Sequence, residues 1–339
     1  KQNPALIVGS LRLTGQVYQA QGHYEKALQY YEQAIAASKK FGISAIEKVL
    51  LRNMADCTIK QRDFQQASEY IKQLKYLSEK NNNQAYLAVS FALFGEIYAY
   101  QNQYVKALEY FQKSKEIYKK IQEFKSLVTL TDYLSSAYMA LGQYEQANQV
   151  IQESSQIVQK INDPSLEVEI LSTQGNVFEH MGQYDKAEST YQQALKLSQD
   201  QQDPERLSNL FNRLGILYQN KKFTRFNKQQ AQEFFKKALE LAEKMKNIQV
   251  EVSILNNLAL TYDSNEAIPI FEKAVQLAQQ IRFPMAMAYS TLNLAVLFAK
   301  KKEYTKAVAS LTQSLTIARE IQNSELIALC LSNLGMIAI

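Results

Sequence analysis

A chain of 339 residues, 46% hydrophobic and 21% charged, is long enough for a sizeable core and too apolar for disorder, while ten glycines and five prolines supply too little turn chemistry for a sheet protein. Its 38 basic and 33 acidic residues leave a formal charge of +5, too dilute to demand a polyanion, so nucleic acid is disfavoured as a partner; with no run near the roughly 18 apolar residues of a bilayer crossing, a membrane is not expected either. Cys57 and Cys330 are too few and too far apart for a disulfide framework, which points to a reducing, cytoplasmic compartment.

The predicted elements fall on a forty-residue grid. Gly15, Gly95, Gly175, Gly215 and Gly335 are separated by multiples of forty, Ala55 and Ser135 sit on the same grid, and Ala259 and Ala295 are displaced by steps that cancel before Gly335. In chain order the repeats run near 5–43, 44–83, 84–123, 124–163, 164–203, 204–247, 248–283 and 284–323, with a partial one over 324–339. Pro4, Pro164, Pro204 and Pro284 recur at one place in the repeat and mark the start of a first helix, with Asp163 and Asp203 as caps. Apolar residues then recur at helical spacing, as in Leu207, Leu210, Phe211, Leu214 and Tyr218. A second glycine class, Gly22, Gly142 and Gly182, marks the turn into a second helix. That helix opens on Tyr24-Glu25-Lys26-Ala27, Tyr104-Val105-Lys106-Ala107, Tyr144-Glu145-Gln146-Ala147, Tyr184-Asp185-Lys186-Ala187 or Tyr304-Thr305-Lys306-Ala307, and small and bulky residues alternate beyond it, as in Ala27, Tyr31 and Ala34.

Grid glycine, following tyrosine, alanine, aromatic and small residue together resemble the tetratricopeptide repeat signature over nearly the whole chain. The usual tryptophan of the first helix is missing; Leu11, Leu51, Phe91, Thr131, Leu171, Phe211, Leu255 and Thr291 take its place. The family's common repeat is about 34 residues, so these repeats are long, similar to those of kinesin light chains and spindle-orientation scaffolds. The resemblance implies an all-α fold: a right-handed superhelical α-solenoid of eight helix-turn-helix repeats plus the first helix of a ninth, read as one solenoid. No polar capping helix follows Gly335, so the chain is expected to be a segment of a longer protein, and self-association through an uncapped apolar end is a third functional option.

Two repeats are irregular. Asn220 to Lys228 brings four extra residues, four positive charges and two phenylalanines, read as a solvated extended turn or an anion contact. The next repeat loses four residues between Tyr262 and Ala267, and Pro269 is expected to kink its second helix.

Catalytic motifs are absent: no HExxH, CxxC, glycine-rich phosphate loop or GxSxG. His23 and His180 are not placed beside a cysteine, and Cys57 and Cys330 fall on apolar faces. No enzyme, cofactor or metal is therefore expected. The resemblance implies that first helices line a concave groove, read two residues before the grid at Leu13, Asn53, Leu93, Tyr133, Thr173, Arg213, Asn257, Asn293 and Asn333, with neighbours such as Arg12, Arg52, Asn212, Asn256, Gln16, Asp56, Glu96 and Asn176. An asparagine amide both donates to and accepts from a peptide group. Asn212, Arg213, Asn256, Asn257, Asn293, Asn333 and Asn176 are accordingly the candidate peptide-binding residues, and Asn257, Asn293 and Asn333 are similar to groove asparagines of kinesin light chains and O-linked glucosaminyltransferases. A clamp for a C-terminal carboxylate is not reproduced, because Arg12 with Gln16 or Arg52 with Asp56 stands where lysines with asparagine are needed. A scaffold or adaptor binding a peptide or helix of another protein is expected; the alternative is a sensory or regulatory module controlling an attached effector.

Overall fold

The computed structural model describes residues 3–337; Lys1 and the expected end of the ninth first helix at Ile339 lie outside them. Among the described residues there are seventeen α-helices, one 3-10 turn at Ser44–Ile46 and no strand. In order they pair as α1 Pro4–Ala20 with α2 Tyr24–Phe41, α3 Glu47–Lys60 with α4 Phe64–Lys80, α5 Gln84–Tyr100 with α6 Tyr104–Lys120, α7 Phe124–Ala140 with α8 Tyr144–Ile161, and α9 Pro164–His180 with α10 Tyr184–Gln201. There follow α11 Pro204–Gln219 with α12 Lys228–Met245, α13 Ile248–Ala259 with α14 Ser264–Gln280, α15 Pro284–Lys300 with α16 Tyr304–Glu320, and α17 Ser324–Ile337. None is long and apolar enough to cross a membrane.

The four predicted prolines each occupy the first position of a first helix, where the missing N–H is not needed. Asp163 caps α9 by accepting from Ser165 N at 3.0 Å. Gly22, Gly142 and Gly182 hold left-handed backbone, with φ of 81°, 71° and 73°, which reverses the chain between helices. Ala27, Tyr31 and Ala34 are fully buried, as are Ala107, Phe111 and Ser114; small residues let the paired helices close on the bulky one.

The irregular repeats depart from expectation in an instructive way. The turn between α11 and α12 is pinned: Phe223 is 2% exposed, meets Tyr218 edge-on at 5.4 Å, and Asn227 N donates to Tyr218 O at 3.0 Å. Its charges, Lys221, Lys222 and Lys228 among them, remain in solvent together with Thr224 and Phe226. The four-residue deletion shortens α13 by about one turn. The helix α14 runs unbroken through the exposed Pro269, and its start is fixed by Asp263 accepting from Asn265 N and Glu266 N.

Contacts divide the chain into two compact units, one ending at Asp203 and the other beginning at Pro204. In the first, α1, α3, α5, α7 and α9 touch successively; in the second, α11, α13, α15 and α17 do so. Second helices pack closely against first helices; among the described residues they reach one another only through side chains, as where Lys115 of α6 meets Glu153 of α8 at 2.9 Å and Lys273 of α14 meets Glu243 of α12 at 3.1 Å. In each unit the first helices therefore form a continuous inner layer, and the second helices an outer one.

Candidate functional site

In the second unit, Asn257 Nδ2 on α13 donates to Asn212 Oδ1 on α11 at 3.0 Å, so the amides of successive first helices lie side by side. Asn212 Nδ2 and Asn257 Oδ1 have no further partner among the described residues, which leaves one donor and one acceptor, the complement of a peptide group. Asn256 is tied into the protein at both ends: it donates to Val252 O at 3.0 Å and accepts from Ser290 Oγ at 2.7 Å. Asn293 is half-buried and makes no hydrogen bond among the described residues. Asn333 donates back to Leu329 O at 2.8 Å and lines a cavity of about 550 Å³ with Ala295, Tyr304, Leu311 and Met336. Arg213 is half-buried beside Asn212. Asn176 belongs to α9 of the first unit and is 7% exposed, its carbonyl 2.9 Å from His180 Nδ1.

The inner layer of the first unit holds a larger cavity, about 630 Å³, lined by Gln16 and Gln19 of α1, Arg52, Asn53 and Asp56 of α3, Leu93 and Glu96 of α5, Tyr118 of α6, and Lys125, Ser126, Thr129 and Tyr133 of α7. Its polar groups are organised. Tyr31 OH donates to Gln19 Oε1 at 2.5 Å, which turns the Gln19 amide so that Nε2 donates to Asp56 Oδ2 at 2.6 Å. Lys60 Nζ lies 2.8 Å from Glu96 Oε1 and 3.3 Å from Tyr100 OH. Burial pushes the Glu96 carboxyl above its ordinary value while Lys60 pulls it down. For Lys60, burial works to lower the pKa, but the Glu96 carboxylate outweighs it and the ammonium is held charged. Lys125 at the rim is engaged by Asp163 at 3.0 Å.

The groove register places Gln16, Arg52, Asn53, Asp56, Leu93, Glu96 and Tyr133 on the inner face, and all of them line this cavity. Gln19, Lys125, Ser126 and Thr129 escaped that reading. Ser126 and Thr129 lie two and one helical turns before Tyr133, so extending each groove position along its own helix face reveals them.

Tetratricopeptide repeat family models match residues 9–41, 47–120, 126–200 and 166–244, together more than half of the chain. A model described as anaphase-promoting complex subunit 5 matches residues 227–338. No curated protein matches the sequence. Among solved structures, a Rap protein complexed with competence and sporulation factor is similar at 13% identity, covering 95% of this chain and 97% of its own, with a TM-score of 0.57. Aspartyl phosphate phosphatase F from Bacillus subtilis shows 16% identity over 85% of this chain and 75% of its own, with a TM-score of 0.58. BtubC (BKLC) from P. vanneervenii shows 21% identity over 66% of this chain and 91% of its own, with a TM-score of 0.52. These three share the fold.

Proposed function

We propose, since this chain belongs to the tetratricopeptide repeat family, that it is an interaction module whose inner helix layer holds an extended peptide segment of another protein. The observation that carries this reading is the Asn257–Asn212 amide pair, which presents one donor and one acceptor from adjacent first helices, with Asn293 unbonded on the next. Arg213 and Asn256 flank these amides on α11 and α13, and Asn333 lies on α17; Asn256 serves as a strut. Asn176 is the corresponding candidate in the first unit. A peptide backbone alternates donors and acceptors, so paired amides grip it without reading its sequence, and neighbouring side chains set specificity.

The test is selection from a library of short peptides, followed by titration of an enriched peptide against wild type and the Asn257→Ala, Asn293→Ala double variant. Each lost amide contact is worth about 0.5–1.5 kcal/mol, so binding weakens roughly 5- to 150-fold, with an unchanged circular dichroism spectrum as the folding control. Equal affinities would remove these amides from the binding site. A second reading, a regulatory module in which peptide binding controls an attached effector, is supported by the fold likeness to the Rap protein complexed with competence and sporulation factor over 95% of this chain. It is distinguished by an effector activity that changes on addition of the enriched peptide.

A further inference from the structure

We infer that the cavity between α1, α3, α5 and α7 takes a basic side chain, lysine or arginine, of the bound peptide, with Asp56 as its counter-ion. The inference rests on the inner layer being a peptide-binding surface and adds which chemistry its first unit selects. The cavity is lined by two carboxylates and two cations, Asp56 and Glu96 against Arg52 and Lys125. Glu96 is neutralised by Lys60 at 2.8 Å and Lys125 by Asp163 at 3.0 Å, both within the protein. Asp56 is different. It is half-buried, its one hydrogen bond comes from the uncharged Gln19 amide, and no cationic nitrogen lies within 4.0 Å of it among the described residues. Arg52, the remaining lining cation, is exposed, and water screens it, while Lys60, which acts on Asp56 through space, is in contact with Glu96 instead.

A carboxylate partly withdrawn from water with only an uncharged donor in contact carries a desolvation cost, and an ammonium or guanidinium entering the cavity reduces it. Gln19 cannot swing away to relieve it, because Tyr31 fixes the other end of its amide. A second observation points to a ligand independently. Asn53 is 8% exposed and lines the cavity, yet its Nδ2 makes no full hydrogen bond, only a weaker approach to the Tyr31 hydroxyl. A buried donor left unmade is uncommon in a folded protein; a backbone carbonyl of the peptide that brings the basic side chain to Asp56 would satisfy it.

The experiment uses the full chain and a positional-scanning library of short peptides, acetylated and amidated so that only side chains carry charge. The expected result is enrichment of lysine or arginine at one position, about tenfold weaker binding when that residue is replaced by norleucine, and loss of this discrimination in Asp56→Asn. The norleucine comparison needs no variant, and Asp56→Ser replaces Asp56→Asn if the latter does not fold by circular dichroism. Peptides enriched without a basic residue, or bound equally with norleucine, overturn this inference and leave the proposed function standing. Discrimination retained in the Asp56 variant overturns it too. A library from which nothing is enriched overturns both.

Discussion

A Cβ built on Gly175 would lie 2.5 Å from Tyr191 Cε1, and the same collision recurs between Gly15 and Tyr31, Gly95 and Phe111, and Gly215 and Phe235. Where the grid residue is alanine, the partner is slimmer: Ala55 shares its core with Ile71, and Ala295 with Leu311. The two positions therefore share one volume between facing helices, although Ala259 with Phe271 in the shortened repeat departs from the rule. Gly175→Ala should destabilise by about 1–3 kcal/mol through overpacking, and Tyr191→Leu should recover part of that loss. A double-mutant cycle of chemical melts is expected to give a coupling of about 0.5–3 kcal/mol; purely additive losses would mean that ring and glycine do not meet. The grid itself was legible from spacing alone. Why a given repeat demands glycine was not, because the answer lies in the size of a side chain on the next helix.

Between helices the chain turns through one left-handed residue at nearly regular intervals, and only Gly22, Gly42, Gly142 and Gly182 among these are glycine. Arg62, Asn102, Gln122, Arg282 and Lys302 adopt the same backbone with a side chain attached. Glycine spacing in the sequence thus disclosed a minority of the turns; the remainder were inferred from the repeat, because helix packing on both sides overrides the local preference. Such a residue bears about 1–2 kcal/mol of steric strain, offset by about 0.5–1 kcal/mol for the extra freedom of glycine in the unfolded chain. Gln122→Gly, at an exposed position with φ of 58°, is accordingly expected to raise stability by about 0.5–1 kcal/mol in thermal melts. The control is Gln101→Gly, exposed with φ of −89°, which should lower it. A gain in both would assign the effect to something other than backbone strain. The turn from Asn220 to Lys228 shows the complementary limit: charge dominated its reading, whereas the buried Phe223 decides its conformation.

Across the whole molecule, the repeat register assigned positions to an inner face, and part of the lining of the first unit's cavity falls on them. What the register could not rank was which inward carboxylate has a cation in contact, since Lys60 bonds to Glu96 across α3 and α5 and leaves Asp56 with the Gln19 amide. The two cysteines provide a probe of each unit without engineering. Cys57 lies in α3, which packs against α1, α2, α4 and α5, and burial raises its thiol pKa; Cys330 lies in α17, which among the described residues packs against α15 and α16 alone. Both should resist a thiol reagent in native buffer, and with rising denaturant Cys330 should label before Cys57; coincident labelling would indicate a single cooperative transition. The two-layer arrangement has a mechanical consequence as well. Because outer helices meet one another through side-chain ion pairs rather than close backbone packing, flexing the inner layer of a unit opens or narrows the gaps between outer helices while the tightly packed inner–outer pairs stay together. Each unit is thus compliant in the direction that tightens or relaxes its inner surface, so that gripping a ligand requires little more than a change of curvature.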